Sequence, residues 1–448
     1  MDAGLPEPFV AESVELFRAL LRIDTSNPPG RERAAAELLA DSLREDGIEP
    51  RILEAAPQRA NLLARLKGTG ARAPLLLTAH LDVVPADAAR WRHPPFGAVE
   101  DGGWIWGRGA VDMKNMAAMS AMVLKALRRE GVPLARDVIL AAVADEEAGC
   151  TYGSKFLVDE HPEAVRAEYA LGELGGFTQE LSGRRLYPIQ VAQKGTAWIR
   201  ARVEGTPGHG SIPREDNPVL VLSEALAKLT PSALPLHPSE PARRFIRAMA
   251  RAQPLLARVV LPLILRPAIA DRLLARLPDR SVGRVLNAIL RNTATPTVLR
   301  AGEKTNVIPA WAEAEIDGRL APGQRVEDLL RELRAAIGPR VRLDVMHALE
   351  PVEAPPDSPM FAHLERAVRE MDPQGIAVPY LIPGFTDAAP FSRLGVRYYG
   401  FAPIWFPPSP GVSFSELYHG NDERIPVEGF RRGLVALYRA VRAWCSTG

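Results

Sequence analysis

Three apolar stretches of this chain each stop at residues that can carry charge or bind a metal, and that coincidence constrains the fold most. Residues 73–77 run into Thr78-Ala79-His80-Leu81-Asp82. Residues 138–143 run into Ala144-Asp145-Glu146-Glu147, and residues 167–171 into Gly172-Glu173. Apolar runs this short, bounded by polar residues, read as buried strands. An unpaired charge is costly inside a core, so the polar groups mark where each strand leaves it. Strand-like and helix-like segments alternate from Val10 to about Gln193, which predicts an α/β fold with a sheet flanked by helices.

The residue types at those ends suit metal chemistry. His80 and Asp82 lie two apart, so on an extended segment both side chains leave the same face. That suits an imidazole bound to a metal with a carboxylate nearby to fix its tautomer; two ordinary polar residues at a strand end are the plainer reading. Gly107-Arg108-Gly109-Ala110-Val111-Asp112-Met113-Lys114 sets an acid before a helix-like run over 116–127, where Asp112 serves equally as an N-cap. Glu146 and Glu147 repel each other unless a cation or protons compensate. Far downstream, Leu417-Tyr418-His419-Gly420-Asn421-Asp422-Glu423 places another histidine beside small and acidic residues. Each element alone has an ordinary explanation; the set in this order is much harder to obtain by accident.

Global properties narrow the function classes. A chain of 448 residues exceeds one typical core and predicts at least two domains. With 55 basic against 54 acidic residues the formal charge is +1, so nothing global points to nucleic acid. Two cysteines, Cys150 and Cys445, form no disulfide framework. No basic segment followed by an apolar one opens the chain, and the reading is a cytoplasmic protein without a transmembrane segment. Neither a P-loop nor a Gly-x-Ser-x-Gly elbow occurs.

A second block begins near Lys194, with a strand-like segment at 196–203, a helix at 217–229, strands at 296–300 and 312–320, a helix at 326–336 and a strand at 340–346. Residues 351–359 are proline-rich and read as a return linker, so the remainder rejoins the first domain. The expected domains are 1–193, 194–350 with a helical insertion over about 235–295, and 351–448. Within the insertion, 242–277 alternates apolar stretches with arginines. Its apolar side calls for cover by its own domain or a partner subunit, or serves as a wall for an acyl chain or a surface that touches membrane.

The series His80-x-Asp82, Asp112, Glu146-Glu147, Glu173 and His419 resembles the M20 family of dinuclear zinc amidohydrolases and peptidases. The likeness runs from Ile23-Asp24-Thr25-Ser26-Asn27-Pro28-Pro29 to the His419 motif. It departs at Leu174, which separates Glu173 from Gly175-Gly176 where many relatives read Glu-Gly-Gly. The resemblance implies a zinc-peptidase-like catalytic domain, a mixed sheet flanked by helices, with an inserted α/β lid and dimerisation domain. It implies two divalent ions, zinc foremost with cobalt or manganese as alternatives. Asp112 would bridge them, His80 and Glu173 completing one site, Glu147 and His419 the other. Asp82 would sit beside His80, and Glu146 would act as general base.

In the presumed lid, the resemblance gives His209 of Gly205-Thr206-Pro207-Gly208-His209-Gly210-Ser211 the role of an oxyanion donor reaching a partner's active site, hence a homodimer. Asn306 and Arg319 would grip a substrate carboxylate, although a salt bridge from Arg319 to Asp317 is the competing reading. Gly384 of Gly384-Phe385-Thr386-Asp387 would line the pocket. The expected activity is hydrolysis of an amide beside a free carboxylate, in an N-acyl amino acid or small peptide. Two alternatives stand beside it: another amide or carbamate substrate with Arg319 purely structural, and a non-catalytic binding descendant, against which the complete ligand set and Glu146 weigh.

Overall fold

The computed structural model describes residues 4–181, 183–277, 280–407 and 414–447, so positions 278 and 279 of the expected insertion lie outside the described residues. The chain divides into two compact units. The first comprises 1–191, 354–380 and 386–448; the second comprises 192–353 and 381–385.

In the first unit the strands Val138–Val143, Leu75–His80, Tyr169–Gly172 and Arg397–Gly400 lie side by side and parallel. Arg59–Leu66 and Arg51–Ala56 add an antiparallel margin beyond Val138–Val143. The first three of these parallel strands are buried along their whole length, which is why they read as unbroken apolar runs rather than alternating ones. Their parallel direction also delivers the carboxyl ends to one edge of the sheet, where ligands collect in open α/β sheets.

Helices cover the sheet. Lys114–Arg129 is buried from Lys114 through Leu127 and packs against both Glu7–Leu21 and Val427–Cys445. Its N-cap is Met113, with no side-chain cap, so Asp112 is not spent on capping the helix it precedes. Cys150 and Cys445 are buried free thiols.

The second unit has its own antiparallel sheet, in the order Thr293–Ala301, Trp311–Leu320, Gly195–Glu204 and Arg342–Leu349. Helices Pro218–Ala227 and Val326–Ile337 close a separate core over it, built around Ile199, Leu222, Ile316, Leu329 and Leu333. The insertion forms helices Glu240–Arg251, Leu255–Val260, Pro267–Leu274 and Arg280–Ile289. Its base is tied to the unit by Asn292, which donates to Glu332 at 3.0 Å and accepts from the Ala321 amide at 2.8 Å. Among the described residues no helix is long and apolar enough to cross a membrane.

Candidate metal centre

At the carboxyl edge of the parallel strands the first unit gathers two groups of donors that share one residue. His80, Asp112 and Glu173 form one group; Asp112, Glu147 and His419 form the other. Asp112 turns one oxygen to each: Oδ1 lies 3.0 Å from His80 Nε2, and Oδ2 lies 3.2 Å from His419 Nε2. His80 Nε2 is 3.7 Å from Glu173 Oε2, and His419 Nε2 is 3.1 Å from Glu147 Oε2. Glu146 belongs to neither group.

Two imidazoles and three carboxylates, one of them facing both ways, fit the ligand preferences of a pair of divalent ions such as zinc. A second observation agrees: Glu173 Oε1 is buried and has no hydrogen-bond partner among the described residues, a costly state for a carboxylate that holds nothing.

Buried polar groups aim the loops. Asp82 stands beside His80, its carboxylate Oδ1 3.6 Å from Nδ1, and its backbone carbonyl comes closer still, at 2.9 Å. That contact sets the tautomer and leaves Nε2 for the ligand side. The Asp82 carboxylate also accepts the amides of Glu146 and Glu147, each at 3.1 Å, and Asn27 Nδ2 at 2.9 Å. It therefore sets the direction of the segment that carries both glutamates. Asn27 also donates to Asp145 at 3.1 Å, and Arg59 bridges Asp145 at 2.7 Å and Glu32 at 2.8 Å.

Glu423 does the same for Asp112. Fully buried, it accepts the amides of Gly109, Val111 and Asp112 and pairs with Arg108 at 2.6 Å. Since Glu423 lies four residues after His419, it ties the His419 loop to the Asp112 loop. Behind the glutamates, buried Asp387 accepts a 2.5 Å hydrogen bond from Ser154.

Backbone strain concentrates here as well. Asp145, Cys150, Leu174, His419 and Asp422 all hold positive φ, between 59° and 66°. Non-glycine residues in that region cost of order 1 kcal/mol or more and persist where surroundings dictate them. Leu174 is where the chain departs from the Glu-Gly-Gly pattern. It takes the left-handed turn at φ 61° despite its side chain. Gly175 follows because a Cβ there would meet the Gly400 carbonyl at 1.9 Å.

Protons stand in for positive charge across the cluster. Burial alone would lower His80, but hydrogen bonds to Asp112 and Glu173 hold it well above its ordinary pKa. Hydrogen bonds to Asp112 and Glu147 push His419 up to about 10. Burial acts to raise Asp112, yet the two imidazoles keep it below the usual carboxylate range. Burial drives Glu173 up to about 8, partly offset by His80. Burial, followed by the charges of Glu173 and Glu147, raises Glu146 well above a normal glutamate, the direction a general base needs.

The other expected residues belong to the second unit. His209 is exposed, its Nδ1 is 2.7 Å from Ser211 Oγ, and its strand Gly208–His209 pairs with Val307–Ile308. The Gly210 amide donates to the Asn306 carbonyl at 2.8 Å, so the two loops are joined. Arg319 makes the salt bridge to Asp317 at 3.0 Å, donates to Thr196 at 3.1 Å and lies 5.4 Å over the Phe385 ring. Gly384 faces open space, and nothing would clash with a Cβ there.

Sequence reasoning missed Asn27, Glu32, Arg59, Asp145 and Glu423. Asn27, Asp145 and Glu423 lie inside quoted motifs and were visible as polar residues there. Glu32 and Arg59 carried no local signal.

Comparison with known proteins identifies the family. The pattern of peptidase family M20/M25/M40 matches residues 76–443. Human N-fatty-acyl-amino acid synthase/hydrolase PM20D1 is 28% identical over 82% of this chain and 74% of its own. Human aminoacylase-1 is 29% identical over 97% of this chain and 95% of its own. An M20 family metallo-carboxypeptidase from Sulfolobus solfataricus shares the fold with a TM-score of 0.74 at 16% identity, covering 96% of this chain and 98% of that one. The chain is a member of peptidase family M20/M25/M40, an enzyme of the peptidase and aminoacylase type that acts on amide bonds.

Proposed function

We propose that this enzyme hydrolyses N-acyl amino acids, cleaving the amide next to a free carboxylate at a site whose residues would hold two divalent ions. The observation that carries the reading is Asp112, whose two oxygens face two separate imidazole–carboxylate groups while Glu146 stands outside both. In this reading His80 and Glu173 hold one ion, Glu147 and His419 the other, and Asp112 both. Divalent ions held there would supply acidification of the attacking water and polarisation of the scissile carbonyl.

The chain's own groups do the rest. Glu146, with its raised affinity for protons, takes one from the water and returns it to the departing amine. Asp82 keeps Glu146 and Glu147 in register through their amides. His209 of a second copy donates to the developing oxyanion, which makes the working form a homodimer. Asn306 and Arg319 receive the carboxylate. Arg319 does so from a guanidinium already oriented by Asp317 and Thr196, and Gly384 leaves room beside it.

The choice of N-acyl amino acids over dipeptides is supported by the two human relatives, whose names describe an N-fatty-acyl-amino acid hydrolase and an aminoacylase. Two free thiols and the lack of a disulfide framework support a cytoplasmic setting. The test is a hydrolysis screen of N-acyl amino acids, dipeptides and carbamoyl amino acids with zinc, cobalt or manganese. Turnover of N-acyl amino acids at least tenfold above the others is expected. Preference for dipeptides or carbamates would overturn the substrate assignment.

A further inference from the structure

Charge in this chain is segregated. From Glu240 to Arg291 the sequence holds eleven arginines against three acids, while the whole chain carries a formal +1. Two of those acids are already engaged, Glu240 with Arg244 and Asp271 with Arg291. Arg247, Arg251, Arg258, Arg266, Arg272, Arg276, Arg280 and Arg284 are all exposed.

Aliphatic side chains stand among them. Leu255 is 76% exposed and Val259 63% exposed. On helix Leu255–Val260, Arg258 lies three and Val259 four residues after Leu255, so each stands beside Leu255 on the helix surface. Val260 and, on Arg280–Ile289, Val285 are exposed as well. The insertion has an apolar interior of its own, with Phe245 and Ile246 on Glu240–Arg251, Ile264 in the turn 261–265, Ala270 and Leu274 on Pro267–Leu274 and Leu286 on Arg280–Ile289 all buried. Leu255–Val260 has no buried residue among those described and stands outside that interior. The exposed aliphatics are therefore not a core left open.

We propose that this insertion docks on the surface of an anionic phospholipid bilayer, its aliphatic tips entering the acyl boundary and its arginines meeting the lipid phosphates. Exposed aliphatics rimmed by arginine match interfacial helices, which combine apolar burial with attraction to anionic headgroups. Arginine suits phosphate through its paired donors. A second copy is the poorer occupant. A symmetric dimer would bring the same strongly basic patch onto itself, with like charges opposed across the contact. The helices Glu240–Arg251, Leu255–Val260, Pro267–Leu274 and Arg280–Ile289 are each too short to span a bilayer, so the contact is peripheral.

The test is sedimentation of the full-length protein with vesicles of phosphatidylcholine alone and of phosphatidylcholine with phosphatidylglycerol. Binding is expected only to the anionic vesicles, falling steeply with added salt. Arg258→Glu with Arg272→Glu should weaken it at least about tenfold, and Leu255→Ser with Val259→Ser should weaken it without abolishing the salt dependence. Circular dichroism and metal content should be unchanged in both variants, since every altered residue is exposed. Absence of vesicle binding, binding indifferent to lipid charge, or a concentration-dependent dimer that Leu255→Ser with Val259→Ser disperses would overturn the proposal. These readings require no hydrolysis, so they stand apart from the substrate screen.

Discussion

Around Asp112 the ionisable groups are packed against partners of opposite tendency, with imidazole and carboxylate 3.0–3.2 Å apart. Between Arg247 and Arg284 eight arginines stand in solvent on one stretch of chain. The first region spends buried hydrogen bonds and strained backbone to hold five donors in place; the second places its arginines on short amphipathic helices with no such scaffold. The contrast separates two uses of charge. Charges that must meet an ion or a reacting bond are fixed from behind, whereas charges that meet a diffuse surface need only be accessible.

The sharpest way to break this contrast is to remove what the buried region is arranged to hold. Chelation should abolish hydrolysis, and divalent metal should restore it. Asp112→Ala, which faces both groups, should lose both ions by elemental analysis, whereas His80→Ala or His419→Ala should lose only one. Full activity after exhaustive chelation would discard the metal reading.

A smaller loss is expected at His209. His209→Ala should lower kcat by about a hundredfold with metal content intact. Mixing it with Glu146→Gln protein should recover part of the activity through hybrid sites. No recovery after subunit exchange, with a monomer by sedimentation, would exclude a role in a neighbouring copy.

Asp82→Asn tests whether positioning from behind matters. It keeps the backbone contact to His80 but weakens acceptance of the Glu146 and Glu147 amides, so a fall of about 10–100-fold in activity or metal affinity is expected. Wild-type behaviour would reduce Asp82 to a packing residue.

The mildest effect concerns protons. In the metal-free protein His419 is held up to about 10 and Glu173 up to about 8. Ligands bind metal only when deprotonated, so these protons must leave as metal enters. Metal affinity should therefore rise with pH through the range from about 8 to about 10, with proton release seen by calorimetry in buffers of different ionisation enthalpy. Uptake without proton release would contradict the arrangement.

Much of the site was legible in the sequence because strand ends are local events. An apolar run followed by His80, Glu146-Glu147 or Glu173 names both the strand and the residue that leaves it, and the parallel sheet then brings those ends to one edge. The supports were not legible, for the same reason inverted. Arg59 meets Glu32 and Asp145 across 27 and 86 residues, and Glu423 meets the Gly109 amide across 314. No periodicity announces a pairing over such distances. The Asp82 carboxylate was assigned to His80 from two-residue spacing. The strand ends at His80, and beyond it the Asp82 carboxylate lies 3.6 Å from His80 Nδ1 while it also accepts the Glu146 and Glu147 amides, contacts the spacing does not announce. Leu174 shows a different limit: a residue whose Cβ disfavours the left-handed region occupies a left-handed turn beside the close approach at Gly175.

The central claim is that Glu146 moves the proton while its neighbour Glu147 holds metal, and one variant separates the two. Glu146→Gln should be prepared with metal, assayed on an N-acyl amino acid, and analysed for bound ions on the same sample. The account predicts a loss of about 10²–10⁴-fold in kcat with metal content equal to that of the unaltered enzyme. An inactive variant that had also lost an ion, or a variant that kept its activity, would contradict it.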